Sequence, residues 1–243
     1  MIMTKSLGDT RKDSVRQHYE EQWEDYNEED VLRRVEHLEN VIEPMISGLT
    51  LRSTTRILDI GSGPGIIPLR IAQKNPDILD VRIIGIDIAK KAIEIGNKAI
   101  ARNRIIHSIY LVRGDAEALP FQNHSFDAII SNATINLLLD KEKGFLEIAR
   151  VIKEGGMVML GDCTARTNKQ CCQKNDEHLW SACIAGAPTK TKFQTLAQEA
   201  GLEIQNVIDM TEQVTGLVKL GLWDWPEFIQ YDMEYHVFVM RKG

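Results

Sequence analysis

The chain is poor in cysteine. Its four cysteines stand at positions 163, 171, 172 and 183, and none is spaced as Cys-x-x-Cys. That number excludes a disulfide framework for 243 residues, and the vicinal pair Cys171-Cys172, with His178 as the one nearby histidine, lacks the paired spacing of a structural zinc site. No metal is expected. No run approaches the roughly 20 apolar residues that span a bilayer, and the first fourteen residues lack the apolar core of a secretion signal. The expectation is a cytoplasmic protein with no membrane partner. Positive charge is also short: 29 Lys and Arg against 35 Asp and Glu leave a formal charge of −6. This gives no general attraction to nucleic acid and disfavours polyanionic substrates.

What is present suffices for one core, with 43% hydrophobic side chains and no internal repeat or low-complexity linker. Residues 10–48 are charged and helical in character, with Val31, Val35, Leu38 and Ile42 along one face. They predict a helical cap over 1–50, ahead of a single α/β domain over 51–243. Short β-branched runs at 56–60, 81–86, 109–112, 128–131 and 157–160 read as strands between amphipathic segments, the pattern of a parallel sheet wrapped by helices. Asp140 is placed to cap a helix that turns Phe145, Ile148, Ala149 and Ile152 inward and ends at Gly155-Gly156. Thr189 precedes a second such helix carrying Phe193, Leu196, Ala197 and Ala200, stopped by Gly201. The run 235–240 reads as a final strand.

The first strand leads directly into Asp59-Ile60-Gly61-Ser62-Gly63-Pro64-Gly65 and then a helix. Glycines there let backbone N–H groups approach a ligand at the strand ends, where doubly wound folds bind nucleotides. An ordinary tight turn explains the glycines equally well. Asp87, however, ends the second strand, where a carboxylate accepts from both ribose hydroxyls, and Gly114-Asp115-Ala116 ends the third, where an acid can receive an adenine amine. A nicotinamide dehydrogenase shares the first two features, but its fingerprint wants glycine where this chain has Ile66. Asp59 better suits a ligand with a positive amino group.

These residues resemble the class I S-adenosylmethionine-dependent methyltransferases. ILDIGSGPG looks like their first motif, GID their ribose acid, GDAEALPF their adenine-side loop, FDAIISN their fourth strand, and ARVIKEGGMVMLGD the helix, turn and strand that follow. The resemblance implies a Rossmann-like, seven-stranded, mostly parallel sheet with an antiparallel last strand. It also implies a cofactor site of Asp59, Gly61, Ser62, Gly63, Gly65, Asp87, Ile88, Gly114, Asp115, Ala116, Ser131 and Asn132, with S-adenosylhomocysteine as the product. Within that family the chain looks closest to arsenite methyltransferases and the ubiquinone and menaquinone type. SNATINLLLDKEKGFLEIARVIKEGG and WSACIAGAPTKTKFQTLAQEAGL carry the arsenite likeness, which implies a thiolate role for Cys183. The chain departs from that pattern after the glycine loop, where IIPLRIAQK lacks the further cysteine.

The acceptor is expected to be a small molecule. Soft thiols suit a thiophilic acceptor, so Cys183, with Cys171 or Cys172, is a candidate to hold one; the competing reading is that they are small buried apolar residues under a lid. Asn132 is a further candidate, or simply completes the end of its strand. The motif Ser131-Asn132-Ala133-Thr134 matches neither the Pro-Pro-aromatic nor the Pro-Cys signature of base methylation. Tyr19, Trp23 and Tyr26 read as lid or cap-packing residues; Trp223, Trp225 and Phe228 as acceptor-pocket lining, core or a homodimer contact. A carbon or oxygen methyltransferase and a non-catalytic cofactor-binding protein are the competing readings.

Overall fold

The structure is a computed structural model, and it describes residues 7–76, 81–103, 108–167 and 176–243. Three helices come first: α1 (Leu7–Gln22), α2 (Glu28–His37) and α3 (Glu39–Ile46). The sheet is built from β1 (Arg56–Ile60), β2 (Arg82–Asp87), β3 (Ser108–Arg113), β4 (Phe126–Asn132), β5 (Ile152–Thr164), β6 (Leu202–Asp209) and β7 (Glu234–Lys242). Between them lie α4 (Ile66–Lys74), α5 (Lys90–Arg102), α6 (Lys141–Val151), α7 (Glu177–Ser181), α8 (Lys190–Glu199), α9 (Thr211–Lys219) and α10 (Pro226–Gln230).

The spatial order is β3-β2-β1-β4-β5-β7-β6. The first five strands pair in parallel, while β7 runs antiparallel to both β5 and β6. Strands covered on both faces carry near-continuous apolar runs, which is why β1 and β4 could be read directly. On one face, Val31, Val35, Leu38 and Ile42 pack into the same core as Ile57, Ile83 and Ile130. On the other, Leu58 and Phe238 meet Phe145 and Ile148 of α6 and Phe193 of α8. The helices before β1 are thus continuous with the core.

Two local expectations needed correction. The sixth helix stops at Val151, four residues before Gly155, because Ile152 is already extended and pairs with Phe126. Gly155 does turn left-handed, at φ 71°, but inside the long β5 stretch. Strand β6, absent from the sequence reading, has the sequence LEIQNVID and is half exposed. Thr189 caps α8 as expected, accepting from the Lys192 N–H at 3.3 Å, and Gly201 follows at φ 82°.

Candidate functional site

The strand ends of β1, β2 and β4 open into one cavity of about 590 Å³, roofed by α1, α7 and α10. That volume lies within the usual range for small-molecule sites. Its floor is the turn after β1. Gly61 sits there at φ 68° with the Thr134 side chain where a Cβ would project, so only glycine fits. Gly61 N–H and Ser62 N–H both donate to the Ile86 carbonyl, at 2.8 and 3.0 Å, which ties the turn to β2.

Asp59 reaches the cavity from the C-terminal end of β1. It is 1% exposed, and neither carboxylate oxygen has a hydrogen-bond partner. Burial pushes its pKa up to about 8, with the nearby Ser62 hydroxyl offsetting part of that rise. A buried acid is retained without a partner at a steep cost, so the site is built for something that supplies one. Asp87, also on the wall, accepts from Gly63 N–H and Ala89 N–H, each at 2.8 Å. Burial raises its pKa too, against those two donors. Each oxygen keeps a second lone pair for a ligand hydroxyl.

Asp115 lies on the third strand end and accepts from Lys12 of α1 at 2.8 Å and from Glu117 N–H at 2.9 Å. The cavity wall also holds Gly63, Ile88, Gly114, Ala116 and Asn132. Gly65 and Ser131 are set back from it. Gly65 is the left-handed residue that starts α4, and the fully buried Ser131 hydroxyl donates to the Ile60 carbonyl at 2.8 Å. Both brace the loop from behind.

Helix α1 closes the roof through acids and bases that no sequence motif marked. Glu20 accepts from Lys90 N–H and Lys91 N–H, both at 2.8 Å, capping α5 where its own N-cap residue, Ala89, offers no side chain. Lys12 bridges Asp115 to the buried Glu117 at 3.0 Å, and Glu117 in turn accepts from Leu139 N–H. These partners are far apart in sequence, so no local pattern announces them. Tyr19 and Trp23 line the cavity; Tyr26 packs edge-on against Trp23 instead. Trp223 and Trp225 are on the wall, whereas Phe228 is buried behind them.

Cys183 lines the cavity, 3% exposed, in a left-handed conformation at φ 62°. Its thiol sits 3.5 Å from the Ala133 carbonyl, and burial pushes its pKa well above the usual thiol value. Behind it, Asn136 donates to Asp162 Oδ1 at 2.8 Å and to the Cys183 carbonyl at 3.3 Å, while the Cys163 thiol also donates to that carbonyl at 3.0 Å. Asp162 is held at a pKa of about 7 by burial. Cys163 is therefore part of the support and does not face the cavity. Cys171 and Cys172 lie outside the described residues.

Residues 51–201 match the model of a methyltransferase domain. The ubiquinone/menaquinone biosynthesis C-methyltransferase UbiE of Geobacter sp. (strain M21) is 33% identical over 115 residues, which is 47% of this chain and 48% of that one. An arsenite methyltransferase of Halobacterium salinarum is 28% identical over 64% of this chain and 39% of its own length. The chain thus spans about half the length or less of these curated relatives. A solved geranyl diphosphate C-methyltransferase from Streptomyces coelicolor A3(2), in complex with S-adenosyl-L-homocysteine among other ligands, superposes with a TM-score of 0.71 at 12% identity, covering 96% of this chain and 98% of that one. The chain belongs to the methyltransferase-domain family.

Proposed function

We propose that this protein transfers the methyl group of S-adenosylmethionine to a small-molecule acceptor. The observation that carries the reading is Asp59, a buried carboxylate aimed into the cavity with both oxygens unspent, beside Asp87 and Asp115 on adjacent strand ends. Such a set fits a ligand with an ammonium, a ribose diol and an adenine amine. When bound, the cofactor supplies a methyl group already activated by a sulfonium. The chain's own contribution is to hold both reactants in line under the α1 roof and keep water out, so positioning is the leading catalytic effect. Titration calorimetry with S-adenosylhomocysteine and with NAD tests the reading, and a preference for NAD would overturn it.

For the acceptor, Cys183 supports a thiophilic substrate, such as trivalent arsenic or a thiol, because its thiol is the one among the described residues that lines the cavity. Such an acceptor brings its own lone pair. A different observation favours a hydroxyl or carbon acceptor. His178 Nε2 lies 3.0 Å from Glu227 Oε1, both on the cavity wall, and this pair can take the proton that such an acceptor must lose. Release of S-adenosylhomocysteine across arsenite, thiols, quinols and catechols separates the two. Loss with Cys183→Ser alone supports the thiophilic reading; loss with His178→Ala alone supports the other. Silence across the panel would favour a non-catalytic cofactor-binding protein.

A further inference from the structure

One crossover of the sheet lacks its helix. The chain passes from β1 to β2 through α4, from β2 to β3 through α5 and from β4 to β5 through α6, but from β3 to β4 by residues 114–125, which hold no helix. Helices α4 and α5 pack on the face of Ile57 and Ile83, so the opposite face depends on α6 and α8, whose Phe145 and Phe193 reach Leu58 and Phe238. Exposure on that face grows toward the sheet edge. Leu58, Ile84 and Tyr110 are neighbours in register across β1, β2 and β3, and they pass from fully buried through half-buried to 55% exposed. In the next row Ile60 and Ile86 are buried while Val112 is 36% exposed. Of the large apolar side chains exposed among the described residues, Tyr110 and Val112 alone share a strand.

The same strip is basic at one end. Arg56 and Arg82 are in register at the start of β1 and β2, and neither guanidinium lies within salt-bridge distance of a carboxylate among the described residues. Arg56 Nε is buried without a hydrogen-bond partner. The acid beside it, Asp127, is taken by the Arg56 N–H at 2.8 Å and by Lys153 at 2.6 Å. Two strands span about 10 Å, the width of one helix, and the six residues of β3 match about 14 helical residues in length. A contiguous apolar strip of this kind marks a docking surface. A second copy does not suit it. Paired edge to edge, it would set α5 beside its own image, with Lys90, Lys91, Lys98 and Arg102 against Glu94 alone. Packed face to face, it would bring neither arginine an acid. We infer that this strip docks an acidic amphipathic helix of a protein partner. Its apolar side chains cover Ile84, Tyr110 and Val112, its carboxylates pair with Arg56 and Arg82, and it stands where the crossover lacks a helix. The cavity opens at the opposite ends of these strands, so partner and ligand are held at once.

Fluorescence anisotropy with a cross-linked helical peptide of about 14 residues, leucines on one face and glutamates on the other, tests the surface. Binding should weaken about 10-fold when glutamines replace the glutamates, and about 10-fold in Tyr110→Ser and in Arg82→Glu. Both residues are exposed and remote from the cavity, so S-adenosylhomocysteine affinity should stay within about 2-fold in each variant. No binding of the glutamate peptide, equal binding of the glutamine peptide, or undiminished binding in both variants would overturn the inference. A dimer in sedimentation that Tyr110→Ser dissociates would overturn it in favour of a second copy. Binding of single-stranded oligouridylate that both variants abolish would overturn it in favour of nucleic acid.

Discussion

Asp59 ties pH, stability and ligand affinity together at a single side chain. With a folded pKa of about 8 against about 3.9 in the unfolded chain, the native state keeps a proton that the unfolded chain has released. Stability of the ligand-free protein from this group is therefore full below about pH 4 and declines as pH rises toward 8. Asp59→Asn should stabilise the ligand-free protein at pH 8 by an amount on the order of a few kcal/mol, read as a higher melting temperature, while weakening S-adenosylhomocysteine binding about 10-fold or more. A variant that lost stability would contradict this account. If Asp59 takes the ligand's ammonium as proposed, binding selects the ionised carboxylate and should release close to one proton at pH 7. Calorimetry in buffers of different ionisation enthalpy reads that number directly, and zero release would refute the assignment.

At the scale of elements, the decisive contacts join segments that the sequence keeps apart. Glu20 on α1 caps α5, and the interior of α5 leans on the glycine turn after β1: at Gly96 an added Cβ would meet Leu111 and the Pro64 carbonyl. Gly96→Ala should cost about 1 to 3 kcal/mol and displace the turn, lowering S-adenosylhomocysteine affinity together with the melting temperature. Glu20→Ala should act differently. Removing two charge-assisted bonds at a half-exposed helix N-terminus costs about 1 kcal/mol, and amide exchange should accelerate at Lys90, Lys91 and along α1 while β1 stays protected. Uniform acceleration through the sheet would show that α1 is not a separable roof. Strands β1 and β4 were legible because burial on both faces makes them apolar, and Asp59, Asp87 and Asp115 because strand ends mark the site. Glu20 and Lys12 were not, since charged residues on a helix read as solvated surface until the fold supplies their partners. Strand β6 escaped notice because its half-exposed face alternates with polar residues.

Across the whole molecule, the strand order decides which distant residues share the cavity. Inserting antiparallel β7 beside β5 brings Tyr235 to the end of β4, where its hydroxyl donates to Asn132 Oδ1 at 2.7 Å. Neither position announced the other in the sequence, and the run 235–240 was readable only as a strand. Asn132 lines the cavity, next to the Ala133 carbonyl that faces the Cys183 thiol, so Tyr235 is joined through Asn132 to the wall proposed above to hold the acceptor. Tyr235→Phe keeps the ring packed against Trp223 and Trp225 but leaves the amide oxygen unpaired. The stability cost should be about 1 kcal/mol, a shift of a few degrees in melting temperature. The effect on chemistry should be larger, because a freed Asn132 no longer fixes its end of the cavity: turnover falls about 10-fold while S-adenosylhomocysteine affinity stays within about 2-fold. Parallel loss of affinity and turnover would instead place Tyr235 in the support of the cofactor half, and unchanged turnover would remove Asn132 from the acceptor site.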